Sequence, residues 1–208
     1  MNRYISDLHI GCTNKYENRT LEHDKLIVEH WNQIVHNDDT TYILGDIGRI
    51  GTNKDNSYLV SILSQLKGKK VLVLGNHDLA GLKDVRITTL FDEIIDYKEI
   101  TDCFDGKAHK LVLSHYPIFS WNGCYKDTTL LYGHTHSNFD DKIFQDSLSM
   151  LRDSVDKINE QHGENVKFKA RPYAYNVGVM IPYMNYRPRT LKEILVGDNV
   201  YNDTEKRF

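Results

Sequence analysis

The strongest constraint on this chain is a recurring junction, in which a short apolar run meets a small residue and passes directly into metal- or proton-handling side chains. Its clearest copy is Val71 to Asp78, reading Val-Leu-Val-Leu-Gly-Asn-His-Asp. Four consecutive apolar residues stopped by a glycine fit a strand covered on both faces, as in sheets flanked by helices. Ligands collect at the carboxyl ends of such strands. The same order recurs at Tyr4-Ile5-Ser6 before Asp7 and His9, and at Tyr42 to Gly45 before Asp46. It returns at Leu111 to Ser114 before His115 and at Leu130 to Gly133 before His134 and His136. A fold that gathers these strand ends gathers Asp, Asn and His.

The segments between the junctions set the architecture. Thr20 is expected to cap a helix that carries Ile27, Trp31, Ile34 and Val35 on one face. A second helix uses Leu59, Ile62, Leu63 and Leu66, with Gly68 as its stop. The resulting order of strand, helix, strand, helix, strand favours a parallel sheet with right-handed crossovers. Beyond Asp78, Glu93 to Thr101 and Lys107 to Leu113 read as hairpin strands about Asp105-Gly106, opening a second, partly antiparallel sheet. From Asp141 to His162, Phe144, Leu148, Leu151, Val155 and Ile158 recur at helical spacing. That helix packs onto its own domain, or serves as a homodimer face or a lid. Phe168 to Val179 supplies a returning strand, Thr190 to Val196 a last short helix, and residues 202–208 a frayed tail. At 208 residues the chain is expected to be a single domain over 1–208, with 141–162 as a helical insertion.

Composition excludes some partners. A net charge of -3 argues against long nucleic acid, whose affinity comes mostly from many Lys and Arg contacts to phosphate. The aromatics Tyr116, Phe119, Trp121 and Tyr125 either stack a nucleobase or simply pack. Cys12, Cys103 and Cys124 lack metal-type spacing and leave an odd thiol, which suits a reducing, cytoplasmic location. No apolar run reaches membrane-spanning length, and a first candidate ligand at Asp7 leaves no room for a cleavable signal peptide.

Taken together, Asp7, His9, Asp46, Asn76, His115, His134 and His136 are oxygen and nitrogen donors without a thiolate. The set is too large for one four-coordinate zinc and suits two metal ions sharing a bridging carboxylate. Imidazole mixed with carboxylate and amide oxygen points to two divalent transition-metal ions, Mn, Fe, Zn or Ni with Mn favoured, rather than Ca or Mg. Two such ions bring about +4 against about -2 from the carboxylates, so the site attracts an anion. Two ions roughly 3.5 to 4 Å apart clamp a phosphate and lower the pKa of a shared water. The expected reaction is hydrolysis of a small phosphodiester or nucleotide by a metal-bound hydroxide; a nuclease acting on longer DNA or RNA and a catalytically silent metal-binding interaction module are the alternatives. His77 is the candidate proton donor to the leaving oxygen, with Asp78 orienting it or keeping it protonated. Arg49 either contacts the substrate phosphate or is a surface arginine. Each block alone also fits a cap, a turn or a satisfied core histidine. Jointly they do not, because five of the ten histidines fall in the strand-end blocks. The other five, His23, His30, His36, His109 and His162, read as surface residues.

The blocks Asp7-Leu8-His9, Gly45-Asp46, Gly75-Asn76-His77-Asp78, His115 and Gly133-His134-Thr135-His136 resemble, in order, the signature of the calcineurin-like metallophosphoesterase superfamily. The resemblance implies one metal on Asp7, His9, Asp46 and His136, and a second on Asp46, Asn76, His115 and His134. It also implies an α/β fold, the αββα four-layer sandwich of two mixed β-sheets flanked by helices. The stretch from Tyr175 to Val179 followed by Asn185 to Pro188 is similar to short bacterial and phage-type members of unassigned substrate. Protein phosphatases of the superfamily carry Asp-Arg-Gly after the Gly-Asp block. Here the block reads Gly45-Asp46-Ile47-Gly48-Arg49, which turns the expectation away from that class.

Overall fold

Parallel register carries the first three junctions to one edge of a sheet. That sheet contains β1 (Asn2–Ile5), β2 (Thr40–Leu44), β3 (Lys69–Val73) and β4 (Glu93–Ile95), neighbours in that order and all parallel. The computed structural model describes residues 1–13, 19–48, 56–162, 168 and 170–195, so Arg49 and the tail 202–208 lie outside the described residues. Tyr4 pairs with Tyr42 and Tyr42 with Val71, so the three strands finish level and their following loops leave side by side.

Helices α1 (Glu22–Ile34) and α2 (Ser57–Leu63) follow β1 and β2. Their apolar stripes bury Ile27, Trp31, Leu59 and Leu63 in one cluster with Ile5, Ile43 and Leu72. Two expected helix ends are corrected. No side chain caps α1, and the Thr20 N–H donates to His23 Nδ1 at 3.0 Å instead. Helix α2 stops at Leu63, well before Gly68, whose φ of +81° turns the chain into β3. A short α3 (Val85–Thr88), capped by the Asp84 carboxylate, leads into β4.

The second sheet is mixed: β5 (Lys98–Phe104) and β6 (Lys107–Leu113) are antiparallel, while β7 (Thr128–Tyr132) and β8 (Ala174–Asn176) continue it in parallel. The expected single strand from Glu93 to Thr101 is two strands in two sheets. Glu93 to Ile95 complete the first sheet beside Val71 to Val73, and Lys98 starts the second. In the first sheet the named strands are all parallel, and the antiparallel component is the isolated bridge of Tyr4 with Arg189. The β5–β6 turn is as expected: Asp105 and Gly106 both have positive φ, the twist-compatible hairpin geometry.

Strand alternation then sorts the layers. Leu111, Leu113 and Leu131 join the core shared with the first sheet, whereas Val112, Leu130 and Tyr132 face the other way, onto Phe144 and Leu148 of α4 (Phe139–His162). Helix α4 thus packs on the outer face of its own second sheet. The result is helix, sheet, sheet, helix. Trp121 and Tyr125 are packing residues: Trp121 donates to the Thr128 carbonyl at 2.7 Å, and Tyr125 lies against Phe168. Residues 191–195 are helical, entered through a capping box in which Thr190 and Glu193 bond each other's backbone N–H. Of the histidines read as surface residues, His23, His30 and His109 are half-buried, His109 stacked on Phe104 at 4.3 Å. Among the described residues no helix is long and apolar enough to cross a membrane.

Candidate metal centre

The loops that follow β1 and β2 are stitched together before any side chain is considered. Asp7 N–H donates to the Gly45 carbonyl at 3.0 Å and His9 N–H to the Asp46 carbonyl at 2.9 Å, extending the sheet pairing through the junctions. The loops are also close-packed. A Cβ on Gly133 would overlap Ser6 Oγ and lie 2.6 Å from Asp7 Oδ2, and one on Gly75 would overlap Asp46 Oδ1. Only hydrogen fits at these two positions.

Asp7, His9, Asp46, His134 and His136 all have positive φ, between 44° and 70°. For non-glycine residues this conformation costs of order 1 kcal/mol or more each, and clusters of it mark sites where side chains are aimed for a purpose. The aim here is convergent. Asp7, His9 and His136 form one group and Asp46, His115 and His134 another, each with its donor atoms within 4.8 Å of one another. Asp46 stands between them: Oδ2 lies 3.7 Å from His9 Nε2, and Oδ1 lies 3.6 Å from His115 Nε2. Asn76 joins the second group, its Oδ1 3.0 Å from His115 Nε2. Within the first, His9 and His136 bring their Nε2 atoms to 3.1 Å. Such spacing fits ligands of a common ion, which sit roughly 3 to 4 Å apart around bonds of about 2.1 Å. The structure therefore brings together all seven residues expected to be ligands.

The surroundings prepare them as ligands. His115 Nδ1 pairs with the Leu44 carbonyl at 2.8 Å, which leaves Nε2 as the lone-pair face. Burial pulls its imidazole below the usual range, against that bond. Burial, then the nearby Arg19 charge, pulls His9 down to about 2, so its ring is neutral. Burial pushes the Asp7 carboxyl up to about 7, against hydrogen bonds from Ser6 and from the His134 N–H. A cation reverses that cost by supplying the opposite charge. The donor set and its geometry fit divalent metal ions.

The two expected catalytic residues differ. His77 stands at the rim with its side chain 63% exposed, its N–H donating to Asp46 Oδ1 at 3.0 Å and its Nε2 4.0 Å from Asp46 Oδ2. Asp78 is buried and does not orient His77, which is a correction. Its Oδ2 accepts the N–H groups of Asp46 (2.9 Å) and Gly75 (2.8 Å), and its Oδ1 accepts that of Ile47 (3.0 Å). It clips the β2 loop to the β3 loop. The substrate role expected of Arg49 falls outside the described residues.

Several residues that shape the site stand outside the strand-end blocks. Asn176, at the end of β8, donates to the His136 carbonyl at 2.7 Å and to Asp141 Oδ1 at 2.8 Å. The same carboxylate oxygen accepts Thr135 Oγ1 and Tyr132 OH, so the start of α4 braces the His134–His136 loop. Of the seven, His9, Asp46, Asn76, His134 and His136 open onto a cleft of about 360 Å³ that Cys12, Thr13 and Arg19 also line. Tyr116 is half-exposed, with its ring 4.7 Å from that of His134.

Residues 4–190 match the family described as calcineurin-like phosphoesterase. The chain is similar to the gene 66 protein of Mycobacterium phage D29, 33% identical over 155 residues that cover 64% of this chain and 77% of the relative. It is also similar to the uncharacterized protein MJ1445 of Methanocaldococcus jannaschii, 31% identical over 163 residues, 74% of this chain and 81% of the relative. Among solved structures, a protein of unknown function from Aquifex aeolicus superposes with a TM-score of 0.62 at 25% identity, covering 94% of this chain and 98% of the other.

Proposed function

The chain belongs to the calcineurin-like phosphoesterase family, and from that premise we propose that it is a metal-dependent hydrolase of a small phosphodiester or nucleotide. The observation that carries this reading is Asp46, whose two carboxylate oxygens face the two donor groups separately. Two divalent transition-metal ions, manganese favoured, would supply Lewis acidity and an activated water there. Asp7, His9 and His136 would hold the first, Asn76, His115 and His134 the second, and Asp46 both. The neutral rings of His9 and His115 offer lone pairs without a proton to displace. His77, outside both groups and exposed at the rim, hands a proton to the leaving oxygen. The net charge of -3 favours a small substrate over long nucleic acid, and three cysteines outside any disulfide accord with a cytoplasmic location.

The test is hydrolysis of a bis-aryl phosphodiester and its monoester by chelator-stripped protein, with Mn, Ni, Zn or no metal restored. Turnover that returns with metal supports the reading. Protein that binds two ions per chain and turns over neither ester overturns the general phosphoesterase.

A further inference from the structure

We propose that Asn176 is a positioning residue for the first metal ion, its one amide fixing the two separate loops that deliver Asp7 and His136. The proposal rests on the two-ion reading of the centre, and metal binding rather than turnover decides it.

Asn176 ends β8 and is 5% exposed. The two ends of its amide face different loops. Oδ1 accepts the Gly178 N–H at 2.9 Å, and Gly178 is paired with Ser6, the residue before Asp7. That pairing consists of the Ser6 N–H on the Val177 carbonyl at 2.9 Å and the Val179 N–H on the Ser6 carbonyl at 2.8 Å. Gly178 lies close under the ligand, since a Cβ there would stand 3.4 Å from Asp7 Oδ2. At the other end, Nδ2 donates to the His136 carbonyl at 2.7 Å and to Asp141 Oδ1 at 2.8 Å, with Thr135 Oγ1 a longer contact at 3.2 Å.

These partners leave the amide one orientation. The Gly178 N–H can only donate, while the His136 carbonyl and an ionised Asp141 only accept, so the two ends cannot be exchanged. Both amino protons and a carbonyl lone pair are engaged in a buried place, where an unmade bond is costly. His136 needs such a hold, because its φ of 50° is a conformation that persists only when its surroundings fix it. In the second group, His115 and Asn76 are not among the partners of the amide, and His134 is held separately, its N–H on both Asp7 carboxylate oxygens at 3.1 Å. Loss of the amide therefore falls on the first ion. The competing role for Asn176 is plain cement between β8 and α4, which lowers stability and loosens both ions alike.

Asn176→Asp separates the two roles. It is nearly isosteric and keeps an acceptor for Gly178, but it sets an oxygen against the His136 carbonyl and the Asp141 carboxylate. Manganese binding to metal-stripped protein is followed by calorimetry and electron paramagnetic resonance, beside Val155→Ala, a truncation of a buried α4 residue that lowers stability alone. Wild type and Val155→Ala are expected to bind two ions. Asn176→Asp should lose roughly 10- to 100-fold in affinity for one of them, the usual cost of removing a group that orients a ligand. The spectrum of a spin-coupled pair then gives way to that of an isolated manganese. A double-mutant cycle identifies the ion: Asn176→Asp should add nothing to the loss caused by His136→Ala and should add in full to that caused by Asn76→Ala. Two ions bound at wild-type affinity, equal losses at both ions, additivity with His136→Ala, or the same loss in Val155→Ala each overturn the proposal. If Asn176→Asp does not fold, Asn176→Ser, too short to span both loops, decides on the same readouts. Wild-type protein that binds fewer than two ions overturns the two-ion reading itself, and the role of Asn176 with it.

Discussion

Replacing Asp78 by alanine separates a clip from a catalytic partner. The carboxylate is 1% exposed and accepts three backbone N–H groups, from Asp46, Ile47 and Gly75, at 2.8 to 3.0 Å. Without it three buried donors lose their acceptor, at roughly 1 to 3 kcal/mol each. Against this stands the relief of a desolvated charge. Burial pushes the Asp78 carboxyl from 3.8 up to about 6, so holding it ionised at pH 8 costs about 3 kcal/mol. The donors outweigh the relief, and the net loss is about 3 kcal/mol, or roughly 6 to 12 °C in Tm for a chain of this size. The assay is thermal unfolding of the chelator-stripped protein at pH 8, followed by manganese titration. Affinity should fall with stability, because the clipped loops carry Asp46 and Asn76. A Tm equal to wild type, with only the pH dependence of turnover altered, would refute this reasoning and return Asp78 to orienting His77.

Gly133→Ala should cost at least about 2 kcal/mol and weaken metal binding, since its methyl overlaps Ser6 Oγ. Gly106→Ala, in open space at φ +75°, should lose only about 1 kcal/mol; equal Tm shifts for the two would contradict the close approach. For Asp39, burial raises the carboxyl but is outweighed by the His36 N–H, the chain-terminal ammonium and Arg3, which hold it at about 2. Its folded pKa is depressed, so about 2 kcal/mol of stability is present above pH 4 and is lost as pH falls from about 4 to about 2. Denaturant melts across that window should show Asp39→Asn less stable at pH 7 and flatter toward acid. His77→Ala should keep its metal and lose roughly 10²- to 10⁴-fold in kcat on an ester with a poor leaving group, but little on a nitrophenyl ester. Equal losses on the two substrates would remove the proton-donor role.

The strand ends were legible because they carry two signals at once, an apolar run and an abrupt switch to ligand chemistry. Parallel register does the rest, and the seven donors converge without any being misassigned to a distant surface. Asp78 was misread because adjacency in a loop is not adjacency of side chains: its carboxylate turns inward while His77 turns out. The break between β4 and β5 was hidden because no glycine or proline interrupts Glu93 to Thr101, and pairing with β3 ends β4 at Ile95. Arg19 sits in a polar loop with no periodicity to mark it. The left-handed residues are of types that tolerate positive φ, Asp and His beside glycine and asparagine, but nothing local requires that conformation of Asp7, His9, Asp46, His134 and His136, which hold it where the loops converge.

The donors at this centre come from both halves of the sandwich: Asp7, His9, Asp46 and Asn76 follow β1 to β3, and His115, His134 and His136 follow β6 and β7. An ion bound by residues from both halves is a cross-link between layers, so ligation adds directly to the cohesion of the fold. At a hundredfold excess over its Kd, one such ion contributes about 2.7 kcal/mol. Without metal, the core alone holds the sheets together. Excursions to open forms become more frequent, and proteases cut what opens. The abundance of this protein in a cell should therefore follow the cell's supply of the divalent ion these residues would hold, even when its rate of synthesis does not change.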